Sequence, residues 1–460
     1  MLSLRYSIPQ LYTRVSALIL LMTIGGIMTG QRSLSLSDAI QEGLLNNYQI
    51  RLAKADLAVA ENNNDDALTG KFPTISLGVT PAVNYRNNTN PASIVSQSNT
   101  TSYGIGPTAN LNWTLFNGGR VEIAKTQLAT LADLSAGRVR VEVENSIAQI
   151  IQAYFNAVVQ QEQISVRRRV LELSRDRIEY QNVRREFGRA GTFEELQARD
   201  AYLTDSTQLV LQQLNYETAT QNLLQLLGAE DVNQALTLTT ELDYDGERFN
   251  EALLQTELDR KNSQLRTLAI NRELAGIRTR LIQTEYKPLV ALQGGAGYDI
   301  NVQTGTQTFD FGNEQPTREQ ELPGIAARTL SANLGIGVSY LLYDGKSRRV
   351  REQSAKLEEM TAELEYDAIN QQLRTQLASA IARHDNQITI VSITRDLIAN
   401  AERNIEISDE RFRGGTINSF DYRTIQLNLV NAEFQLLNAL LNLKNTETEI
   451  LRLTGQVVGD

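Results

Sequence analysis

The chain has 460 residues with no Cys, one His and eight Pro, and its 44 basic and 54 acidic side chains give a formal charge of −10. No cysteine means no disulfide framework, no thiolate nucleophile and no Cys-based zinc or iron–sulfur site, and a single imidazole (His384) leaves a multi-His metal centre short of ligands. The acidic balance argues against a nucleic-acid partner, and a mean hydropathy of −0.29 without a second long apolar run excludes a polytopic helical membrane protein.

Arg5 and Arg14 precede an apolar run from Val15 to Met28, followed by Thr29-Gly30. A basic flank, an apolar core shorter than the roughly 20 residues of a membrane span, and small residues after it predict a secretory signal peptide over 1–30. A retained single-span anchor is the alternative, opposed by the short core and its Gly25-Gly26 break. Cleavage near Gly30 would remove two arginines and no acid, taking the formal charge to −12.

Next comes a zone that alternates with a period of two. Ile75, Leu77, Val79, Val83 and Tyr85 oppose Ser76, Gly78, Thr80 and Asn84, and Tyr103, Ile105, Ala109, Leu111, Trp113 and Leu115 oppose Gly, Thr and Asn. The pattern predicts strands over about 73–85 and 103–116, joined by a polar loop from Arg86 to Ser102. A second pair follows over about 288–302 and 330–343, with a polar loop at about Gly305–Thr329. Either the apolar faces cover a core, or they face lipid as strands of a transmembrane barrel, with Tyr85, Tyr103, Trp113, Phe116, Tyr298, Tyr340 and Tyr343 near the interfaces. Pro81 and Pro107 each remove a ladder donor and count against regular strands.

Between Pro107 and Pro288, and after Pro323, there is no proline. These blocks are rich in Gln, Glu, Arg, Leu and Ala, and their apolar residues recur at steps of three and four. Val139, Val143, Ile147, Ile151, Tyr154 and Val158 make one stripe; Val430, Phe434, Leu437 and Leu441 make another. From Val121 to Glu186 only an isolated Gly137 interrupts, which predicts a helix about 100 Å long. A helix of that length must bury its stripe in a coiled coil or bundle. Each block holds one turn, Phe187-Gly188-Arg189-Ala190-Gly191-Thr192 and Phe412-Arg413-Gly414-Gly415-Thr416, and Thr192 with Glu195 fits a capping box.

The order helix, strand, strand, long helix, helix is written twice. Leu115-Phe116-Asn117-Gly118-Gly119 corresponds to Leu342-Tyr343-Asp344-Gly345-Lys346, Leu226-Leu227-Gly228 to Leu453-Thr454-Gly455, and Phe116 is as far from Gly228 as Tyr343 is from Gly455. The halves fall at 31–242 and 248–460, joined by a linker at 243–247. On the duplication, the strand-to-helix joints and the Arg411-Phe412-x-x-Gly415 turn, the chain resembles the TolC-type outer-membrane efflux proteins. Four strands cannot close a barrel, since the smallest membrane barrels have about eight.

The resemblance implies an α+β membrane protein. Four β-strands per chain would contribute to a trimeric twelve-stranded outer-membrane β-barrel, continued into the periplasm by a long α-helical coiled-coil barrel. It implies a homotrimeric exit duct for efflux or type I secretion, with a periplasmic adaptor and an inner-membrane pump as partners and outer-membrane lipid around the barrel. Adaptor hairpins would meet the two turns at Phe187, Gly191, Thr192, Arg411, Phe412, Gly415 and Thr416. Asp421 would point into the periplasmic entrance; Thr424 stands where the family has a second acid, and Gln197 holds the matching place in the first half. The simpler role for Asp421 is a carboxylate offsetting a helix dipole.

The competing class is a soluble periplasmic coiled-coil scaffold or adaptor with a small β domain. No enzyme motif is present: Gly104/Gly106 and Gly335/Gly337 lie in strands without a phosphate-loop lysine, and no cofactor is expected. Three further features read as solvated surface: His384, the acidic run Asn62–Asp66, and Arg167-Arg168-Arg169, whose charges pair with nearby acids.

Overall fold

The computed structural model describes residues 32–189, 191–244, 248–312 and 315–457. The expected signal segment and linker residues 245–247 lie outside them. In chain order the elements are β1 (Arg32–Leu34), α1 (Leu36–Asn46), α2 (Tyr48–Asn63), β2 (Thr74–Thr89), β3 (Val95–Phe116), α3 (Arg120–Glu186) and α4 (Thr192–Leu227). Then follow β4 (Leu236–Leu238), α5 (Glu251–Lys261), α6 (Ser263–Gln283), β5 (Leu289–Phe309), β6 (Arg318–Ser339), α7 (Ser347–Arg413) and α8 (Ser419–Leu453). Each of the two proline-free blocks thus contains one long helix, α3 or α7, of 67 residues. The chain divides into two compact units.

One unit comprises residues up to Leu52 together with 140–262 and 372–460. Its core gathers Leu34, Ile150, Tyr154, Leu223, Leu224, Leu227, Leu236 and Leu238. β1 and β4 pair in parallel over this core, and the Tyr154 hydroxyl ties them down. It donates to the Leu34 carbonyl at 2.8 Å and accepts from the Thr239 and Thr240 amides at 3.2 and 3.0 Å.

The ends of α4 and α8 are held alike. Asn47 Nδ2 donates to the Leu226 carbonyl at 2.8 Å, and Asn262 Nδ2 to the Leu453 carbonyl at 2.9 Å. Gly228 and Gly455 follow in left-handed conformation, at φ 71° and 69°. A Cβ there would come within 2.4 Å of the Asn46 carbonyl oxygen or 2.7 Å of that of Lys261, so both positions require glycine.

The other unit comprises 53–139 and 263–371 and contains an antiparallel sheet in the order β2-β3-β5-β6. Its strands overrun the expected loops. The β2–β3 ladder reaches Thr89↔Gln97 and the β5–β6 ladder reaches Phe309↔Arg318. Backbone pairing needs no apolar side chain, so strand portions that are polar on both faces give no alternation to read. At the other end β6 stops at Ser339, leaving Tyr340–Tyr343 outside it. Pro107 is accommodated on the central strand because the β3–β5 pairing lapses between Ile105↔Ile300 and Thr108↔Gly297. Gly137 does not break α3; its missing side chain admits α6, since a Cβ there would lie 2.7 Å from Thr267 Oγ1.

His384 is not on the surface. It is 1% exposed, with its ring 4.7 Å from that of Phe249 and 5.9 Å from that of Tyr244, and its Nδ1 has no hydrogen-bond partner. Burial pushes its pKa below the ordinary value; Lys444 acts in the same direction, while Glu447 and Asp385 oppose the shift. With the folded pKa depressed, the neutral ring contributes stability that is fully present above the unfolded pKa of about 6.5 and lost as pH falls below it. The denaturant midpoint of detergent-solubilised protein is therefore expected to fall between about pH 7 and 5.5. In His384→Phe that slope should flatten; an unchanged slope would contradict the assignment.

Candidate membrane face and helical turns

Directly opposed residues in a ladder point to the same face, so the register maps both surfaces of the sheet. One face carries, strand by strand, the rows Ile75–Leu111–Gly294–Leu334, Leu77–Ala109–Ala296–Ala332 and Val83–Tyr103–Val302–Ala326. Among the described residues nothing covers this face: Leu77 is 84% exposed, Leu334 71% and Val338 70%. A belt so continuous exceeds what a water-facing monomer surface carries. Near one margin Trp113 Nε1 donates to the Lys71 carbonyl at 2.9 Å; toward the other stand Tyr103, Tyr85 and Arg328, the last opposite Ile300. The reverse face, over the same rows, presents Gly, Ala, Ser, Thr, Asn and one Asp. β2 is exposed along its whole length, and as end strands of the sheet β2 and β6 each have one edge unpaired among the described residues.

Each β3→α3 and β6→α7 joint is a left-handed step. Gly118 and Gly119 take φ 73° and 87°; Gly345 and Lys346 take 68° and 73°. At the second joint Asp344 accepts from Arg348 N and Nε at 2.8 and 3.0 Å. The backbone bond from Arg348 holds that carboxyl below the usual range. The Arg348 guanidinium also closes on the carbonyls of Glu285 and Leu341, at 3.0 and 2.7 Å.

Of the helical turns, the second closes with Gly415 N donating to the Phe412 carbonyl at 3.0 Å and Thr416 N to that of Arg411 at 2.9 Å. Gly415 has φ 72°. In the first turn the equivalent bonds are Gly188 N to Arg185 O at 2.9 Å and Arg189 N to Arg184 O at 2.8 Å. The glycine with positive φ there is Gly188, at 65°. Gly191 is extended and caps α4, and Thr192 is the first helical residue. The expected Thr192–Glu195 capping box does not form. Glu194 returns to the Gly191 amide at 3.0 Å, while Glu195 pairs with Arg185.

The two phenylalanines of the turns part company. Phe412 is buried, stacked on Tyr422 with ring centroids 4.8 Å apart and 5.1 Å from Tyr180. Phe187 is 75% exposed. Exposed with it are Phe193 and Phe420, each the second residue of the helix that follows a turn, which the motif comparison overlooked. Arg411 lends its carbonyl to Thr416. Asp421 lies exposed in the first turn of α8, its amide bonded to Asn418 Oδ1 at 2.8 Å, and Thr424 Oγ1 returns to the Phe420 carbonyl at 3.0 Å.

Beside this aromatic stack a buried ionic cluster joins three helices. Asp205 of α4 accepts from Ser174 of α3 and from Arg423 of α8. Arg177 is buried next to them, and burial, reinforced by the Arg423 charge, lowers it to about 10, so it stays charged at neutral pH. The expected pairing of the Arg167–Arg169 run holds for Arg169, which reaches Glu433, whereas Arg167 stacks 4.6 Å above the Phe434 ring. In the acidic run Asp65 caps a short 3-10 turn and Asp66 binds Lys71 and Lys125. No group of three or more His, Asp or Glu that could hold a metal occurs among the described residues.

The sequence model of the outer membrane efflux protein family matches residues 39–229 and 253–456. The outer membrane efflux protein BepC of Brucella suis is 22% identical, over 99% of this chain and 93% of its own. Among solved structures, the CmeC outer membrane channel of Campylobacter jejuni superposes with a TM-score of 0.72 at 16% identity, covering 91% of this chain and 85% of that one. The open-state MtrE outer membrane channel of Neisseria gonorrhoeae gives 0.66 at 17% identity, covering 91% and 88%.

The belt generates a test that a sheet packed on a core would fail. Cysteines at 334 and 336, the only thiols in the chain, should be shielded from water-soluble reagents, while a lipid-soluble photoprobe should label both positions. Leu334→Arg should cost about 2–4 kcal/mol if it meets the bilayer midplane. An unlabelled belt in reconstituted protein would refute lipid contact.

Proposed function

The chain belongs to the outer membrane efflux protein family, and from that premise we propose that it is the outer-membrane exit duct of a tripartite efflux or type I secretion assembly. The observation that carries this reading is the uncovered sheet, apolar on one face, polar on the other and open at both edges. Three copies would supply twelve strands and satisfy both edges, with the apolar face toward lipid and the polar face around water. The coiled helices would extend the duct into the periplasm. A soluble scaffold would leave the belt in water.

The paired joints, Asn47 with Gly228 and Asn262 with Gly455, support an ancestral duplication into 31–242 and 248–460 around a linker at 243–247. The signal peptide at 1–30 would direct export.

The turns are the docking points for the helical hairpins of a periplasmic adaptor that links the duct to an inner-membrane pump. Phe187 offers an exposed apolar contact, whereas Phe412 acts from within by holding Tyr422 and Tyr180. Gly191, Thr192, Arg411, Gly415 and Thr416 shape the backbone that a hairpin would meet. Asp421, exposed beside the second turn, would give three carboxylates around the periplasmic entrance.

Two experiments test these assignments. Purified protein in planar bilayers should form channels, and Asp421→Asn should weaken their block by multivalent cations added on the helical side. No conductance would contradict the duct, and unchanged block would leave Asp421 as a helix-end residue. Phe187→Ala and Gly415→Ala should each reduce crosslinking to the adaptor while leaving membrane insertion intact; undiminished crosslinking in both would remove the docking role.

A further inference from the structure

The polar face of the sheet carries a charge that the assignments above do not use. From the level of Ser76 to that of Ala82, across all four strands, every residue on this face but one is Gly, Ala, Ser, Thr or Asn. The exception is Asp299 on β5, paired with Thr329. It is exposed and has no ion pair or hydrogen-bonded side-chain partner among the described residues. The register on either side sets Gly106 of β3 against it, and a Cβ on Gly106 would lie 2.4 Å from Asp299 Oδ1. The carboxylate therefore rests over bare backbone, in room that any side chain at 106 would occupy.

An unpaired carboxylate at the height of the apolar belt is tolerable only in contact with water, because its desolvation in hydrocarbon would far exceed any local gain. On the reading that this face encloses the lumen of a barrel shared by three chains, we propose that Asp299 gives the barrel lumen a preference for cations. One copy from each chain places three carboxylates at a single level of a wall otherwise neutral there and lined by short side chains. With no cation beside it to neutralise the field, each carboxylate raises the local cation concentration. Gly106 is the positioning residue that lets the carboxylate lie against the wall and leaves the bore clear.

The inference predicts a dependence on ionic strength, since screening reaches about 10 Å at 0.1 M salt and about 30 Å at 0.01 M. Reversal potentials across a salt gradient should show cation preference that strengthens as salt is lowered. In Asp299→Asn this preference should drop, toward what the Asp421 ring alone would leave, with conductance at high salt unchanged. The chain has no cysteine, so Asp299→Cys introduces a unique thiol. A membrane-impermeant cationic thiosulfonate should react with it and turn the preference toward anions, and an anionic one should restore cation preference. Because an Asp421 ring would also favour cations, the Asp299 substitutions are repeated in channels carrying Asp421→Asn, where the remaining preference should still fall. Conducting Asp299→Asn channels with wild-type selectivity at low salt, or an Asp299→Cys thiol inaccessible to both reagents, would overturn the inference and leave the duct reading intact. Inserted wild-type protein that never conducts would overturn both.

Discussion

A two-faced sheet with unsatisfied edges is the constraint on which the rest of the molecule depends. In water, an apolar face of this breadth would be buried against another layer. Among the described residues neither face has such a layer, and β2 and β6 present open ladder edges. Lipid against one face and water against the other satisfies both surfaces at once, and further strands satisfy the edges. A single chain cannot do this, because four strands are too few to close.

The helices meet a related constraint by different means. Two helices of 67 residues are stable only where their apolar stripes find neighbours. In the unit that holds both turns, that role falls to the core around Tyr154, to the stack of Tyr180, Phe412 and Tyr422, and to the Asp205 cluster. The cluster sets one buried guanidinium, Arg177, and one partly buried one, Arg423, near the buried Asp205 carboxylate. Such a group is strongly destabilised when one partner is removed, so it fixes how α3, α4 and α8 meet more than it adds net stability. The turns then stand beside a polar and aromatic foundation.

Much of this was legible in the sequence because its periodicities are strong. Two-residue alternation marked all four strands of the large sheet, and the distribution of proline marked the long helices. Where the reading failed, the deciding partners lay far away in the chain or carried no periodic signal. The strands run past Tyr85 and Val302 because their outer portions are polar on both sides, which looks like loop. His384 sits among Gln, Arg and Asn, and only Phe249 and Tyr244, distant in sequence, enclose it. Phe187 and Phe412 occupy similar motifs, yet only the latter meets two tyrosines. Gly188 rather than Gly191 takes the left-handed step, a choice that depends on where α3 ends and that composition does not encode.

The central claim is that copies of the chain close one another's sheet. Its most direct measurement is disulfide trapping between the two edges, with one cysteine on β2 and one on β6 of an otherwise cysteine-free chain. Oxidation in outer membranes should convert the protein into covalent species that stop at the trimer, while either single-cysteine variant stays monomeric under denaturing conditions. A product confined to the monomer, or a ladder that continues past three chains, would contradict closure by threefold strand exchange.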